Sequence, residues 1–147
     1  MGVKSIAQGN VLVSHWFDEL TVQDIEQVFA LASRLAKESG PVSGINILGP
    51  VMKRPSVTVF NRMMALHPQM RQYHRSIHYV ILLNGFLASS VMSNVTRMLT
   101  NGTGGSLRFS NSVTDALTLA AEYHELKSSP QSILAELQKQ SIPVAKS

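Results

Sequence analysis

Apolar residues recur along the chain with two different periods, and this alternation predicts an α/β fold. Two strand-like apolar runs, 3–7 and 11–17, flank a Gln-Gly-Asn turn and predict an N-terminal β-hairpin. Apolar positions then keep helical spacing over 22–36, and Thr21 with Asp24 three residues later is typical of a capping box. The N-terminal part of the chain is therefore expected to form two strands followed by a long helix.

The remaining sequence alternates short strands with helices. The nearly continuous apolar run 77–83 is β-branched and aromatic, which is typical of a central strand buried on both faces. Apolar runs and capping residues predict the other elements, in chain order: a strand at 45–48; a helix from Pro55 or Ser56, with its last turn in doubt at Pro68; a helix capped by Ser89 or Ser90 and ended by Asn101 and Gly102; a strand at 107–109; a helix capped by Ser112; and a shorter helix after Pro130.

These elements predict a single α/β domain with a small mixed sheet. The N-terminal hairpin is followed by parallel strands, and four to five helices flank the sheet. Residues 1–128 are expected to form the domain, and residues 129–147 a short C-terminal helix and tail. Because ligands of such folds gather at the carboxyl ends of parallel strands, the loops 49–56 and 84–90 are the expected places for a site.

Composition narrows the class of protein. Of 147 residues, 44% are hydrophobic and only 15% are charged, which excludes a disordered chain and a coiled coil. The absence of cysteine excludes disulfides, thiol nucleophiles and thiolate metal sites, and it suits a reducing compartment. The N-terminus has no signal-peptide pattern, and the longest apolar stretch, 77–92, is too short and too polar for a membrane span. We therefore expect a cytoplasmic protein.

The net charge of +4 conceals an uneven distribution. Residues 39–114 contain no Asp or Glu but seven of the thirteen Lys and Arg residues, so this segment carries +7. The flanks hold all nine acids against six bases and sum to −3. A field concentrated in this way attracts anions, although a scatter of unrelated surface arginines is the alternative interpretation.

Two loops in the basic segment supply the candidate site residues. Lys53, Arg54 and Ser56 meet at a helix N-terminus, whose free backbone N–H groups favour an anion, and Arg62 is a nearby cation. The alternative is that Ser56 only caps the helix while the cations are solvated. Ser89 and Ser90 in the second loop are candidate contributors to the same site, with a purely capping role as their alternative.

The sequence gives little support for catalysis or for a bound metal. His67, His74 and His78 lack the spacing of a compact zinc site, and no carboxylate occurs in the basic segment to complete one. No acid lies in either loop, and no serine occupies a nucleophile elbow. The glycine cluster at 102–105 follows a helix and leads into a strand, the reverse of a phosphate-binding loop. We expect neither an enzyme nor a cofactor.

The order of elements over about 10–126 resembles that of the STAS domains of sulfate transporters and anti-sigma factor antagonists, or of a lipid-binding-like relative. The resemblance rests on the strand 10–17, the helix from Thr21, the strand 77–83, and the final strand and helix at 107–116. It implies a phosphorylated serine where the helix after an early parallel strand begins, which is Ser56 here. The chain has Arg-Pro-Ser-Val at 54–57 in place of the family's Asp-Ser-Ser-Gly or Asp-Ser-Thr-Gly, and these basic neighbours suit holding an anion better than being modified.

Two functional hypotheses follow. The first is a non-enzymatic, cytoplasmic regulatory or protein-interaction module of STAS-like type, which engages a kinase-like or signalling partner with an anionic or phosphorylated surface through Lys53 and Arg54. The alternative is a domain that binds a small anionic ligand or lipid head group between the second and third helices, with catalysis left open. Nucleic acid ranks third, because Arg and aromatic residues interleave only over 71–79. The sheet edge and tail helix would permit a homodimer.

Overall fold

A computed structural model of the chain describes residues 2–100 and 107–146. These residues form five strands and five helices, in the order β1 (Val3–Gln8), β2 (Val11–Asp18), α1 (Val22–Ser39), β3 (Val42–Met52), α2 (Val57–Tyr73), β4 (His74–Ile81), α3 (Gly85–Thr100), β5 (Leu107–Ser110), α4 (Val113–Tyr123) and α5 (Pro130–Lys139). The alternation of strands and helices is the one that the apolar periods predict.

The five strands form one mixed sheet in the order β1-β2-β3-β4-β5. The hairpin β1–β2 is antiparallel, and the pairs β2–β3, β3–β4 and β4–β5 are parallel. The expectation of a single α/β domain with a mixed sheet and an N-terminal hairpin is confirmed. Because the parallel strands are added in chain order, the loops that follow β3 and β4 lie next to each other at the carboxyl edge of the sheet.

The helices lie in two layers, one on each face of the sheet. The connections through α1, α2 and α3 all step in the same direction along the sheet, so right-handed crossovers place them on one face. Alternating residues of β3 face the two layers: Val42 and Leu48 pack with α1–α3, while Ile45 and Ile47 pack with α4 and α5. Each face of the central strands is thus buried by helices, which explains the nearly continuous apolar run in β4.

Serine and threonine caps begin four of the helices. Thr21 and Asp24 form the capping box of α1, and Ser56, Ser112 and Ser129 each accept a backbone N–H of the first turn of α2, α4 and α5. Each of the four caps provides a hydrogen-bond acceptor for a backbone N–H group that would otherwise have no partner within its helix.

Some element boundaries differ from the sequence prediction. Because α3 begins at Gly85, Ser89 and Ser90 lie within the helix, and the prediction that one of them caps it is wrong. Helix α2 continues through Pro68 to Tyr73. The strands β3 and β4 begin earlier than predicted, since backbone pairing with neighbouring strands extends into polar residues. The predicted helix end at 101–102 and the glycine cluster at 102–105 lie outside the described residues.

The C-terminal segment packs on the same core as the rest of the chain. Ile133 and Leu137 of α5 are fully buried in the α4–α5 layer, and Ile142 follows them into it. Ala145 pairs with Ser112 in an isolated β-bridge. None of the helices in the described part of the chain has the length and apolar character needed to cross a bilayer.

Candidate functional site

A cavity of about 530 Å³ lies between the sheet and the α1–α3 layer. Its walls are mostly apolar. The residues of α2 that line it are spaced three or four apart, so they lie on one face of that helix. The lining residues are Trp16, Leu20, Asn46, Leu48, Met52, Ile77 and Tyr79 from the sheet side; Ile25, Val28 and Phe29 from α1; Val57, Phe60, Met63, His67 and Met70 from α2; Val91, Asn94 and Val95 from α3; and Arg54, Pro55 and Ser56 from the β3–α2 loop. We refer to this space as the cavity.

The cavity opens to solvent where α2 begins. Four of its lining residues there, Arg54, Ser56, Val57 and Phe60, are exposed, and we call them the cavity mouth. Ser56 caps α2 by accepting a hydrogen bond from the Val59 backbone N–H at 3.2 Å. The partial positive charge of the helix N-terminus and the Arg54 guanidinium therefore act on the same end of an otherwise apolar space.

The loop that carries the mouth is held by the end of β3. Gly49 has φ of +96°, a conformation that side chains disfavour, and a Cβ there would come 2.8 Å from a methyl carbon of Leu83. The Lys53 backbone N–H donates to the Asp18 carbonyl at 2.7 Å, which ties the loop to the end of β2. These contacts set the direction in which the chain leaves the sheet and place Arg54 beside the cavity.

The polar side chains that line the cavity away from its mouth include those of Trp16, Asn46, Tyr79 and His67. The Trp16 indole N–H donates to Asn46 Oδ1 at 3.0 Å, which provides the buried indole N–H with a partner. Burial raises the pKa of Tyr79 well above its usual value, which keeps its hydroxyl neutral. Burial, assisted by the charge of Arg71, lowers the pKa of His67, so its imidazole is neutral at neutral pH. The interior of the cavity therefore carries no formal charge.

The predicted site residues fall into two groups. Arg54 and Ser56 line the cavity, as a ligand site between the second and third helices would require. Lys53 and Arg62 instead face acids: Lys53 Nζ is 3.7 Å from a carboxylate oxygen of Glu19, and Arg62 Nε donates to Glu26 at 2.9 Å. These acids belong to the N-terminal flank, which thereby offsets part of the charge of the basic segment.

The serines of the second loop do not join this site. Ser89 is exposed and Ser90 half-buried on α3, and neither lines the cavity. The α3 residues that do line it are Val91, Asn94 and Val95.

Sequence reasoning missed the cavity itself. Apolar residues at helical spacing are typical of a packed core, yet only Val59, Leu66 and His67 of α2 are buried. The available signal was the content of flexible side chains on the cavity side of α2, Met63 and Met70, because methionine often lines adaptable binding surfaces.

A buried polar network lies on the opposite face of the sheet. Ser43 Oγ is 2.6 Å from His124 Nε2 and 3.0 Å from Ser76 Oγ, and Ser76 Oγ is 2.9 Å from His78 Nε2. Burial, with the nearby charge of Arg108, lowers the pKa of His78 to about 4. Because Ser43 is fully buried, its hydroxyl is closed to a substrate. The network links polar side chains of β3, β4 and the end of α4, and it leaves His78 Nδ1 without a partner among the described residues.

The described residues provide no obvious metal centre. Among residues 2–96 and 108–146, no group of three or more His, Asp or Glu side chains lies close enough together to hold a metal ion. We therefore take the cavity as the candidate functional site.

Together, the fold and the cavity define a small α/β protein with a ligand-sized apolar cavity whose mouth is cationic. No protein-family model matches the chain, and no curated protein matches it at a significant level of sequence similarity.

Proposed function

We propose that this protein binds an amphipathic organic anion, with the apolar body of the ligand in the cavity and its anionic group at the cavity mouth. The proposal rests on one observation: an apolar cavity of about 530 Å³ is lined at its mouth by Arg54 and by the N-terminus of α2. The sequence already offered a small anion or a lipid head group as an alternative ligand. The proposal extends that ligand class to anions that also carry an apolar body. It is a proposal of binding, without a catalytic step.

The size and lining of the cavity support an apolar ligand body. Small-molecule sites commonly enclose about 300–1,000 Å³ and are lined by hydrophobic and aromatic side chains with a few polar groups. An alkyl chain gains about 0.8 kcal/mol for each CH₂ that it buries. Burial of the chain would therefore supply most of the affinity, and the charged end would set the orientation.

The charge at the cavity mouth supports an anionic end. Within the described part of the chain, Arg54 has no carboxylate partner, whereas its neighbour Lys53 faces Glu19. A carboxylate or phosphate at the mouth would meet the free guanidinium and the helix N-terminus together. A cationic amphiphile of the same length would meet repulsion there.

Calorimetric titration with dodecanoate, dodecanol and dodecyltrimethylammonium tests the proposal. We expect dodecanoate to bind most tightly and the cationic amphiphile most weakly. Trp16 is the only tryptophan and lines the cavity, so its emission should change with the same midpoint as the calorimetric heat. Equal affinities for dodecanoate and dodecyltrimethylammonium, or no binding of dodecanoate, would overturn the proposal.

Two neighbouring cations provide a matched pair of variants. Arg54→Gln removes the charge that lines the cavity, and Lys53→Gln removes an equal charge that does not. We expect Arg54→Gln to weaken dodecanoate binding about tenfold, since a hydrogen bond to a charged group contributes about 1.5 kcal/mol or more. The Lys53→Gln variant should bind within about twofold of the unmodified protein. Equal losses in both variants would indicate a diffuse field instead of a contact.

A protein partner at the carboxyl edge of the sheet is the second candidate function. Three apolar side chains there, Val51, Val57 and Phe86, are 68%, 76% and 86% exposed, beside Lys53 and Arg54. This surface favours the cytoplasmic regulatory module of STAS-like type that the sequence predicts, with an anionic or phosphorylated partner. Ser56 lies on the same edge and is exposed, so a partner kinase would find its hydroxyl accessible.

Affinity capture distinguishes the second candidate from the first. A partner identified by mass spectrometry should be retained by the unmodified protein and lost when Lys53 and Arg54 are both replaced by glutamate. Peptide mapping by tandem mass spectrometry of protein from its native cells should show a phosphate on Ser56 if the switch implied by the resemblance operates. Unchanged capture by the double variant would count against this candidate.

A further inference from the structure

His67 is a buried polar side chain on the wall of the cavity whose ring nitrogen is unpaired. The residue is 8% exposed, and its Nε2 has no hydrogen-bond partner in the part of the chain that the structure describes. Leaving a buried nitrogen unpaired costs about 1–3 kcal/mol. Four side chains in the described residues have such an unpaired buried atom, and His67 is the one among them that lines the cavity. An apolar residue in this position would complete the wall at no such cost.

The position of His67 along α2 separates it from the cavity mouth. It lies ten residues beyond Val57, which corresponds to about 15 Å along the axis of a helix at 1.5 Å per residue. Phe60 and Met63 line the cavity between the two positions. A ligand that spans this distance therefore meets a cation at one end, apolar side chains along its length, and an imidazole at the other end.

The neutral state of His67 limits the groups that it can bind. A neutral imidazole offers one N–H donor and one acceptor nitrogen, which suits a hydroxyl or a carbonyl. A second carboxylate would have to lose its water without gaining a counter-charge, and this is costly in an apolar space.

We propose that His67 is a second polar anchor of the cavity, which binds a terminal hydroxyl or carbonyl group of a ligand whose anionic end lies at Arg54. The inference rests on the proposed function and narrows the ligand class to bipolar amphiphiles, such as hydroxylated or oxidised long-chain acids. His67 then determines specificity, because a hydroxyl buried without a partner in an apolar cavity is penalised.

Titration of dodecanoate and ω-hydroxydodecanoate into the unmodified protein and two variants tests this inference. His67→Leu removes the anchor, and Met70→Leu alters the same stretch of wall without removing a polar group. We expect the affinity of the hydroxy acid relative to dodecanoate to fall about tenfold in His67→Leu and to stay within about twofold in Met70→Leu.

The outcomes separate this inference from the proposed function. If both acids bind and their affinity ratio is the same in the unmodified protein and in His67→Leu, only the role of His67 is overturned. If neither acid binds, the proposed function fails and the inference with it. Should His67→Leu not fold, the ¹⁵N shift of His67 Nε2 in the unmodified protein gives the answer: it must change with ω-hydroxydodecanoate and not with dodecanoate, and equal changes with both acids would overturn the inference.

Discussion

Replacing Val95 with phenylalanine should block the cavity without harming the fold. Val95 lies on α3, is 7% exposed, and lines the cavity, so an added ring can extend into the space. Phenylalanine carries four more side-chain carbons than valine, and each buried carbon contributes about 0.8 kcal/mol. The upper limit of the gain is about 3 kcal/mol, from which the loss of rotamer freedom and local strain subtract. We expect the free energy of unfolding to be unchanged or about 1 kcal/mol higher.

Val80→Phe is the matched control for this substitution. Val80 is fully buried on the other face of the sheet, where it packs with α4 and α5 and does not line the cavity. The same four carbons must there displace packed neighbours, which costs about 1–3 kcal/mol. Urea denaturation followed by circular dichroism measures both variants, and titration with dodecanoate measures binding under conditions in which each is folded.

The two variants must give opposite results. We expect Val95→Phe to keep its stability and bind dodecanoate at least tenfold more weakly, and Val80→Phe to lose stability while the folded fraction binds normally. Equal destabilisation would mean that α3 leaves no space beside Val95. A stable Val95→Phe variant with unchanged affinity would refute the assignment of the cavity as the binding site.

Three further predictions concern the fold that positions the site. The pKa of His78 is about 4 in the folded chain and about 6.5 when unfolded, so the folded state binds fewer protons and stability is lost as the pH falls through this window. The free energy of unfolding should fall by about 3 kcal/mol in total. In His78→Asn, the slope of this free energy against pH, measured by urea unfolding, should decrease by the equivalent of about one proton; an unchanged slope would contradict the prediction. Gly49→Ala should lower the free energy of unfolding in urea by about 1–3 kcal/mol, and by more than Gly40→Ala does. Both glycines have positive φ, but only Gly49 has neighbouring atoms that a Cβ would meet, so equal losses would contradict the importance of the contact with Leu83. Ser112→Ala should cost about 1 kcal/mol and Ser89→Ala almost nothing, because Ser112 caps α4 and Ser89 lies inside α3; a comparable cost at Ser89 would reverse that assignment.

Local periodicity accounts for much of the fold. A strand buried on both faces, as in 77–83, and a capping box at Thr21 are local signals, and they identify the central strand and the first helix. Strand limits are less local, because β4 begins with His74, a polar residue whose backbone pairs with Val42 of β3. The first residue of such a strand depends on the neighbouring strand with which it pairs. The local pattern of apolar and polar residues does not identify that neighbour.

The charge pattern predicted a group of cations at a helix N-terminus. Of these cations, Arg54 lines the cavity. The pattern could not separate Arg54 from Lys53 and Arg62, because the acids that face those two cations, Glu19 and Glu26, are distant in sequence. Long-range pairing therefore decides which member of a basic segment remains available for a ligand.

The cavity could not be predicted from spacing alone. Apolar residues at helical intervals, such as Met63 and Met70, have the same pattern whether they pack against a partner or line a space. The distinction depends on the distance between α2 and the sheet, which is set by side chains on several elements. His67 illustrates the same limit, since only its surroundings reveal a polar atom without a partner.

A crystal structure of the protein with ω-bromododecanoate tests the central claim most directly, because the anomalous signal of bromine locates the apolar end of the ligand. We expect a bromine peak inside the cavity near His67 and Met70, with the carboxylate within hydrogen-bonding distance of Arg54. A bromine peak outside the cavity, or a carboxylate bound away from the cavity mouth, would contradict the proposed binding mode.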